Sequence, residues 1–293
     1  MSPLIPTPGI YDVTAEQYHG PEPCPEPSLS SSGARALIAD PPAKYWHYRN
    51  NPQPPSEALI VGSAAHEWLL EGDKWPYRHY VLPEDHDNRT KAGRALVAEK
   101  TAAGLRCVTA EQFATIKAMR DALAAHEYAM AAFENGRAET SMFWIDPQTG
   151  IWCRCRPDFL PAQGRVFADY KTTISCRTDD LKRTIGRYGY HMQAGWYQDG
   201  IRALELHDAP IMLFVFQEKT PPYLVRCVTV GAPSLIAAES QNWRARTIFA
   251  RCVREDRWPG YDEDIQTLDI PAWDLTKAEN EYANAIEIED IAA

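Results

Sequence analysis

The sequence lacks any hydrophobic run approaching the roughly eighteen apolar residues of a bilayer span, and its start, Met1-Ser2-Pro3-Leu4-Ile5-Pro6, has neither the basic nor the apolar segment of a signal peptide. The expectation is a cytoplasmic protein with no membrane partner. It also lacks any C-x-x-C pair. Its seven cysteines (Cys24, Cys107, Cys153, Cys155, Cys176, Cys227 and Cys252) are odd in number and scattered, which fits free thiols in a reducing compartment rather than a disulfide framework or a zinc ribbon. A G-x-x-x-x-G-K-[ST] loop is missing, so no ATPase motor is expected in this chain. Positive charge is in short supply, with 30 Lys and Arg against 40 Asp and Glu, a net charge of −10. What the chain has is 293 residues that are 45% hydrophobic and 24% charged, enough to bury a substantial core and too apolar for intrinsic disorder.

Taken alone, that net charge argues against a nucleic-acid partner, because phosphate binding is dominated by Lys and Arg. Its distribution reverses the inference. From Glu255 to Asp290, twelve acids stand against Arg257 and Lys277, so this stretch carries the whole net charge and residues 1–254 are neutral. A neutral body can still carry a focused basic surface, for which Arg177, Lys182, Arg183 and Arg187 are the best candidates.

Twelve of the 23 prolines lie in the first 55 residues, with Pro21, Pro23, Pro25 and Pro27 alternating as in extended backbone. Residues 1–55 therefore read as an N-terminal arm. Within it, Ser30-Ser31-Ser32-Gly33 opens a short helix that Asp40-Pro41-Pro42 ends. The cluster Tyr45, Trp46 and Tyr48 packs the arm on the body or stacks on bases. A buried helix is expected over Leu59 to Leu70, carrying His66 and Glu67 and stopped by Gly72, and two scaffold helices over 91–134. From Ser141 the pattern changes to strands: 141–145, 151–160 and 165–171 read as a three-stranded meander. A basic helix from about Asp179 to Leu206 follows, then a central strand at 211–217, another at 223–230, a helix over 233–254, and an acidic tail over 261–293.

The chemistry concentrates at Asp158 and, ten residues on, Asp169-Tyr170-Lys171. Side chains alternate across a strand, so Asp169 and Lys171 share a face, and Asp158 on the neighbouring strand can lie opposite or diagonal to them. Two facing carboxylates repel unless a divalent cation neutralises them, and Mg²⁺ or Mn²⁺ prefers such hard oxygen donors. A protonated lysine beside the metal-bound water aligns it and stabilises developing negative charge, or acts as base if its pKa is depressed. That set suits phosphodiester hydrolysis. The bland alternative is a solvated strand face or a cross-strand ion pair. On the residues alone, His66 reads as a core histidine, since His66-Glu67-Trp68-Leu69-Leu70 is not the H-E-x-x-H zinc motif, and Glu139 as a strand-edge carboxylate. Gln193 and Tyr197, four apart, share one helix face.

Arg156-Pro157-Asp158 with Asp169-Tyr170-Lys171 resembles the PD-(D/E)XK nuclease signature. The wider frame, Gly62-Ser63-Ala64-Ala65-His66 upstream and Gln193 with Tyr197 downstream, is similar to the RecB-like branch of that superfamily. Leu29-Ser30-Ser31-Ser32-Gly33, Asp40-Pro41-Pro42-Ala43-Lys44-Tyr45 and Gln217-Glu218-Lys219-Thr220-Pro221-Pro222-Tyr223 resemble the exonuclease VIII type of phage and prophage recombination nucleases.

The resemblance implies an α/β, restriction-endonuclease-like core over 56–260, with a mixed, mainly antiparallel central sheet flanked by helices. It implies that His66, Asp158, Asp169 and the Tyr170 carbonyl bind metal and that Lys171 is the catalytic lysine. Glu139 would position metal or water, and Gln193 and Tyr197 would line the active site, the glutamine on a phosphate or the lysine, the tyrosine on the strand end. Arg177, Lys182, Arg183 and Arg187 would contact DNA. The implied activity is a Mg²⁺-dependent DNA exonuclease, with Mn²⁺ as a substitute, running processively 5′ to 3′ on double-stranded ends and leaving 3′ single-stranded tails for recombination. The implied partners are a single-strand annealing recombinase and further copies of the chain in a ring-shaped homo-oligomer, in a bacterial or phage-encoded setting. No iron–sulfur cluster is expected, because Cys153 and Cys155 fall in the strand leading to Asp158 and no cysteine cluster follows. Three rivals stand: an endonuclease or single-strand-specific nuclease on the same fold, a catalytically silent DNA-binding module, and an acidic DNA mimic built on the tail, which alone requires residues 262–293.

Overall fold

The structure is a computed structural model that describes residues 4–20, 23–51, 57–70, 72–262 and 264–292. Pro21, the expected arm boundary at Pro55 and Ser56, and Glu263 of the tail lie outside the described residues. The chain forms two units, 1–259 and 260–293. The second contains one long helix, Ala272–Ala292, on which Trp273 and Tyr282 are exposed.

In the first unit the proline-rich stretch forms β1 (Gly9–Tyr11), α1 (Ala15–His19), β2 (Ser28–Ser30), α2 (Ser31–Ala39) and α3 (Pro42–Asn50). Then come α4 (Glu57–Leu70), α5 (Trp75–Arg78), β3 (His79–Val81), α6 (Lys91–Ala102), β4 (Arg106–Val108), α7 (Ala110–Ala124) and α8 (Glu127–Ala131). The second half holds β5 (Gly136–Ala138), β6 (Ser141–Ile145), β7 (Trp152–Cys155), β8 (Phe159–Pro161), β9 (Val166–Thr173), α9 (Thr178–Arg187), α10 (Tyr190–Ala203), β10 (Ile211–Glu218), β11 (Val225–Thr229) and α11 (Ala232–Glu255).

The strands make a four-stranded sheet, β1-β6-β7-β2, a five-stranded sheet, β11-β10-β9-β8-β5, and the pair β3-β4. The five-stranded sheet is mixed: β10 runs parallel to β9, and its other ladders are antiparallel. Strand β10 is apolar through Phe214, Val215 and Phe216, as a strand covered on both faces must be. Its even-numbered phenylalanines pack with Trp144, Trp196 and Phe249 in the largest core, while Val215 points the other way, to Leu123 and Tyr170. Truncating a fully buried ring such as Phe214 to alanine is expected to cost about 3–5 kcal/mol.

Three expectations are corrected. Residues 151–160 are not one strand. Pro157 supplies no N–H to a ladder, so the chain leaves β7 at Cys155, crosses through Arg156-Pro157-Asp158 and joins the other sheet as β8. The expected meander is therefore divided between two sheets. The basic helix over 179–206 is two helices, broken at Tyr188-Gly189, where Gly189 adopts a left-handed φ of 64° that ends one helix and starts the next. Residues 91–134 hold three helices and β4 rather than two helices. The proline-rich stretch, read as an arm, contributes β1 beside β6 and β2 beside β7. Its Trp46 stacks on Trp258 with ring centroids 4.2 Å apart, which settles packing for this residue of the aromatic cluster. All seven cysteines are free, and no helix among the described residues is long and apolar enough to cross a membrane.

Candidate active site

Alternation along β9 sets the site. Phe167 enters the main core beneath α10, and Asp169 and Lys171 follow on the same face, whereas Tyr170 points to the α7 side. The Tyr170 hydroxyl donates to Gln217 Oε1 at 2.6 Å, and the Gln217 amide donates to the Met119 carbonyl at 2.7 Å, which pins β9, β10 and α7 together. Strand β8 meets β9 where Phe159 pairs with Ala168, so Asp158 arrives beside the site. Its Oδ2 accepts the Tyr170 backbone N–H at 2.6 Å. Lys171 Nζ forms an ion pair with Asp169 Oδ2.

Two more acid–base groups come from distant elements. His66, on α4, places Nε2 2.9 Å from Asp158 Oδ2 and Nδ1 3.6 Å from Glu139 Oε1. Glu139 lies between β5 and β6 at φ 53°, a left-handed conformation uncommon for a residue with a side chain, and its backbone N–H donates to the Asp158 carbonyl at 3.0 Å. Its other carboxylate oxygen accepts from Arg156 Nε at 2.5 Å, and Arg156 Nη1 donates to the Val13 carbonyl and to Ser141 Oγ.

One stripe of α10 faces the site. Tyr190 lies with its ring 5.3 Å from Lys171 Nζ, the Gln193 amide donates to Asp169 Oδ1 at 2.7 Å, and the Tyr197 hydroxyl donates to the Arg156 carbonyl at 3.1 Å. The glutamine thus engages a carboxylate, where the resemblance implied a phosphate or the lysine. Nothing in the sequence reading singled out Tyr190, although it stands one turn before Gln193 on the same face.

Burial and charge divide the titrations. Burial alone would lower the His66 imidazole, but Asp158, seconded by Glu139, pushes it up to about 9. Burial acts to raise Asp158, and the His66 charge and hydrogen bond, with Lys171 and the Tyr170 N–H, hold it below the ordinary carboxylate range. Asp169 goes the other way, raised to about 6 by burial and then by Asp158. Glu139 is also raised, first by burial and then by Asp158. Burial pulls Lys171 down, yet Asp169 and Asp158 outweigh it and keep the ammonium. In the metal-free protein these charges favour the Lys171 ammonium, which pairs with Asp169.

The donor set fits a divalent cation. Ligand atoms of His66, Glu139 and Asp158 lie within 4.8 Å of one another, and Asp169 Oδ2 is buried beside them in its pair with Lys171. One imidazole with carboxylate oxygens is a set that a divalent cation accepts. Asp169, expected as a ligand, is turned toward Gln193 and Lys171, and Glu139 stands in the cluster instead.

A cleft of about 1690 Å³ opens on the site, lined by His66, Glu139 and Lys171 and on its rim by Arg183 and Arg187. Arg177, the N-cap residue of α9, and Lys182, paired with Asp179 at 3.3 Å, are not among its lining residues. The cleft is also lined by Lys74, Arg78, Arg106 and Lys219, which the sequence reading missed. The basic–aromatic run Lys74-Trp75-Pro76-Tyr77-Arg78 was a usable signal. Arg106 and Lys219 have none, because only the fold brings them to this cleft.

A family model described as "PDDEXK-like domain of unknown function (DUF3799)" matches residues 31–271. No curated protein matches the chain. Among solved structures, the chain is similar to one described as a "Putative exonuclease" from Eubacterium rectale, at 15% identity over 91% of this chain and 98% of that one, with a TM-score of 0.61. At that identity the likeness establishes a shared fold. A phage-related exonuclease from Haemophilus somnus 129PT aligns over 79% of this chain and 97% of its own at 10% identity, with a TM-score of 0.32 that carries no argument.

Proposed function

Because the chain belongs to the PDDEXK-like family matched over residues 31–271, we propose that it is a divalent-metal-dependent deoxyribonuclease that degrades double-stranded DNA from its ends. The observation that carries this reading is the convergence of His66, Glu139 and Asp158 beside the Asp169–Lys171 pair in a cleft with basic rims. The finer reading is a Mg²⁺-dependent 5′-to-3′ exonuclease that leaves 3′ tails for a strand-annealing recombinase. A ring of several copies would keep a body of neutral net charge on its substrate by topology rather than by electrostatic attraction.

A cation held by His66, Glu139 and Asp158 would supply an activated water and neutralise charge on the phosphoryl oxygens. The chain's own residues do the rest. Arg183 and Arg187, which line the cleft, attract the phosphate backbone into it. Lys171 presents a fixed ammonium where negative charge develops, and because Asp169 and the Tyr190 ring already orient it, little reorganisation accompanies the reaction. Gln193 aims Asp169, and Arg156 aims Glu139.

The decisive experiment gives the purified chain linear duplex DNA labelled at either end, with Mg²⁺ or with EDTA. Degradation in Mg²⁺ alone, reduced by several orders of magnitude in both Asp169→Ala and Lys171→Ala, is expected, consistent with a loss of a few kcal/mol of transition-state stabilisation. Equal degradation by the wild type and both variants overturns the reading.

A further inference from the structure

The break at Tyr188-Gly189 does more than divide α9 from α10. The left-handed turn at Gly189 brings the tyrosines on either side of it together, with ring centroids 5.8 Å apart and planes inclined by 27°. Tyr190 in turn packs on Phe214 at 5.6 Å and Phe216 at 5.9 Å, the two β10 rings of the main core. A continuous run of aromatic rings therefore leads from the centre of the protein to the cleft, where its last member, Tyr188, is 53% exposed.

The run stops at solvent. Exposed aromatic rings are ordinary on a protein surface, but Tyr77, Tyr128 and Trp243, which are also exposed, are not among the residues lining the cleft. Tyr188 is, and its backbone is held: its carbonyl accepts from Arg35 Nη1 at 2.8 Å, and its N–H donates to the Thr184 carbonyl at 3.0 Å. Two cations flank the ring pair. Arg187 Cζ lies 5.7 Å from the Tyr188 centroid, and Lys171 Nζ lies 5.3 Å from that of Tyr190. A flat ring with a guanidinium beside it matches a nucleotide, whose base stacks while its phosphate pairs with the cation.

We propose that Tyr188 is a stacking platform for the nucleobase at a DNA end, an inference that rests on the nuclease reading and deepens it. A base inside a duplex has both faces covered by its neighbours, so only a base at a strand end or in a single strand offers a face to a tyrosine. One ring, that of Tyr190, separates the platform from Lys171, which makes the stacked base part of a nucleotide next to the phosphate under attack. The contact sets the strand end in register with the site whatever its sequence, since every base presents a π face.

The test uses the full chain in EDTA, so that binding is read without turnover. The probes are DNA hairpins with a fluorophore in the loop and one open end, in which an abasic residue replaces the base at the 5′ end, at the 3′ end or at an internal position. In fluorescence anisotropy, one of the terminal replacements is expected to weaken binding about tenfold, and the internal one to change it little. Tyr188→Ala should weaken the intact probe by a similar factor and bind intact and abasic ends alike, whereas Tyr188→Phe, which keeps the ring, should behave as the wild type; melting curves confirm that both variants fold. Equal affinity of the wild type for all probes, or a terminal preference that survives in Tyr188→Ala, overturns the proposal. A chain that prefers the intact end through Tyr188 yet degrades no DNA in Mg²⁺ defeats the nuclease reading and leaves the platform standing, whereas a nuclease blind to the terminal base defeats the platform alone.

Discussion

The Gln193 side-chain amide donates to Asp169 Oδ1 at 2.7 Å, with both side chains buried. Lys171 sits at the other carboxylate oxygen, so a helix and a strand together fix the direction in which Asp169 points. Gln193→Leu removes the helix's part of that hold. It should lower activity or cation affinity by about 10–100-fold and cost about 1–3 kcal/mol in a urea melt, because Asp169 stays buried with one partner fewer. Wild-type rates in this variant would show that the contact is incidental.

Cation binding should release a proton. His66 is raised to about 9, so at neutral pH the metal-free protein holds it protonated, and a cation must displace that proton. Affinity is expected to rise with pH and level off above about 9, with nearly one proton released per cation at neutral pH in calorimetry across buffers of different ionisation enthalpy. His66→Gln should abolish the release.

The same group sets a stability trend without metal. Its folded-state pKa lies above the unfolded value of about 6.5, so the stabilisation is complete below that pH and is lost as pH rises through about 9. Denaturant midpoints of wild type and His66→Gln should therefore converge between these limits as pH increases.

Gly189→Ala meets two penalties at once: a left-handed φ of 64° and a contact of 2.8 Å with the Arg35 stem. A loss of about 1–3 kcal/mol is expected in chemical denaturation. A replacement elsewhere on an open loop, such as Gly260→Ala, where an added Cβ meets nothing within 4 Å, serves as the control.

Arg183 and Arg187 line the cleft, whereas Arg177 and Lys182 do not. Neutralising either of the first two should reduce the dependence of DNA affinity on salt concentration by about one unit of log–log slope. Arg177→Gln and Lys182→Gln should leave that slope nearly unchanged. Titrations from low to moderate KCl distinguish the two pairs.

Local pattern made much of this molecule readable. Alternation put Asp169 and Lys171 on one face of β9, and the apolar middle of 211–217 marked a central strand. The resemblance singled out His66, Glu139 and Asp158, which converge although they come from separate parts of the chain. What stayed hidden depends on long-range placement. The crossing at Pro157 looks locally like a strand because both of its flanks are strands, and only the sheet partners reveal the change. The break at Gly189 is a single glycine inside a helical pattern. Tyr190, Arg78, Arg106 and Lys219 acquire meaning only from the cleft they line.

The three-residue passage from β7 to β8 is tied at both ends, with the Arg156 carbonyl held by Tyr197 and the Asp158 carbonyl by the Glu139 N–H. An inserted or deleted residue there would slide Asp158 out of reach of β9 while both sheets stayed intact. Length variation among descendants of a common ancestor should therefore collect in the turns at 146–150 and 162–165 and spare this passage, a stretch whose size is inherited more strictly than its composition.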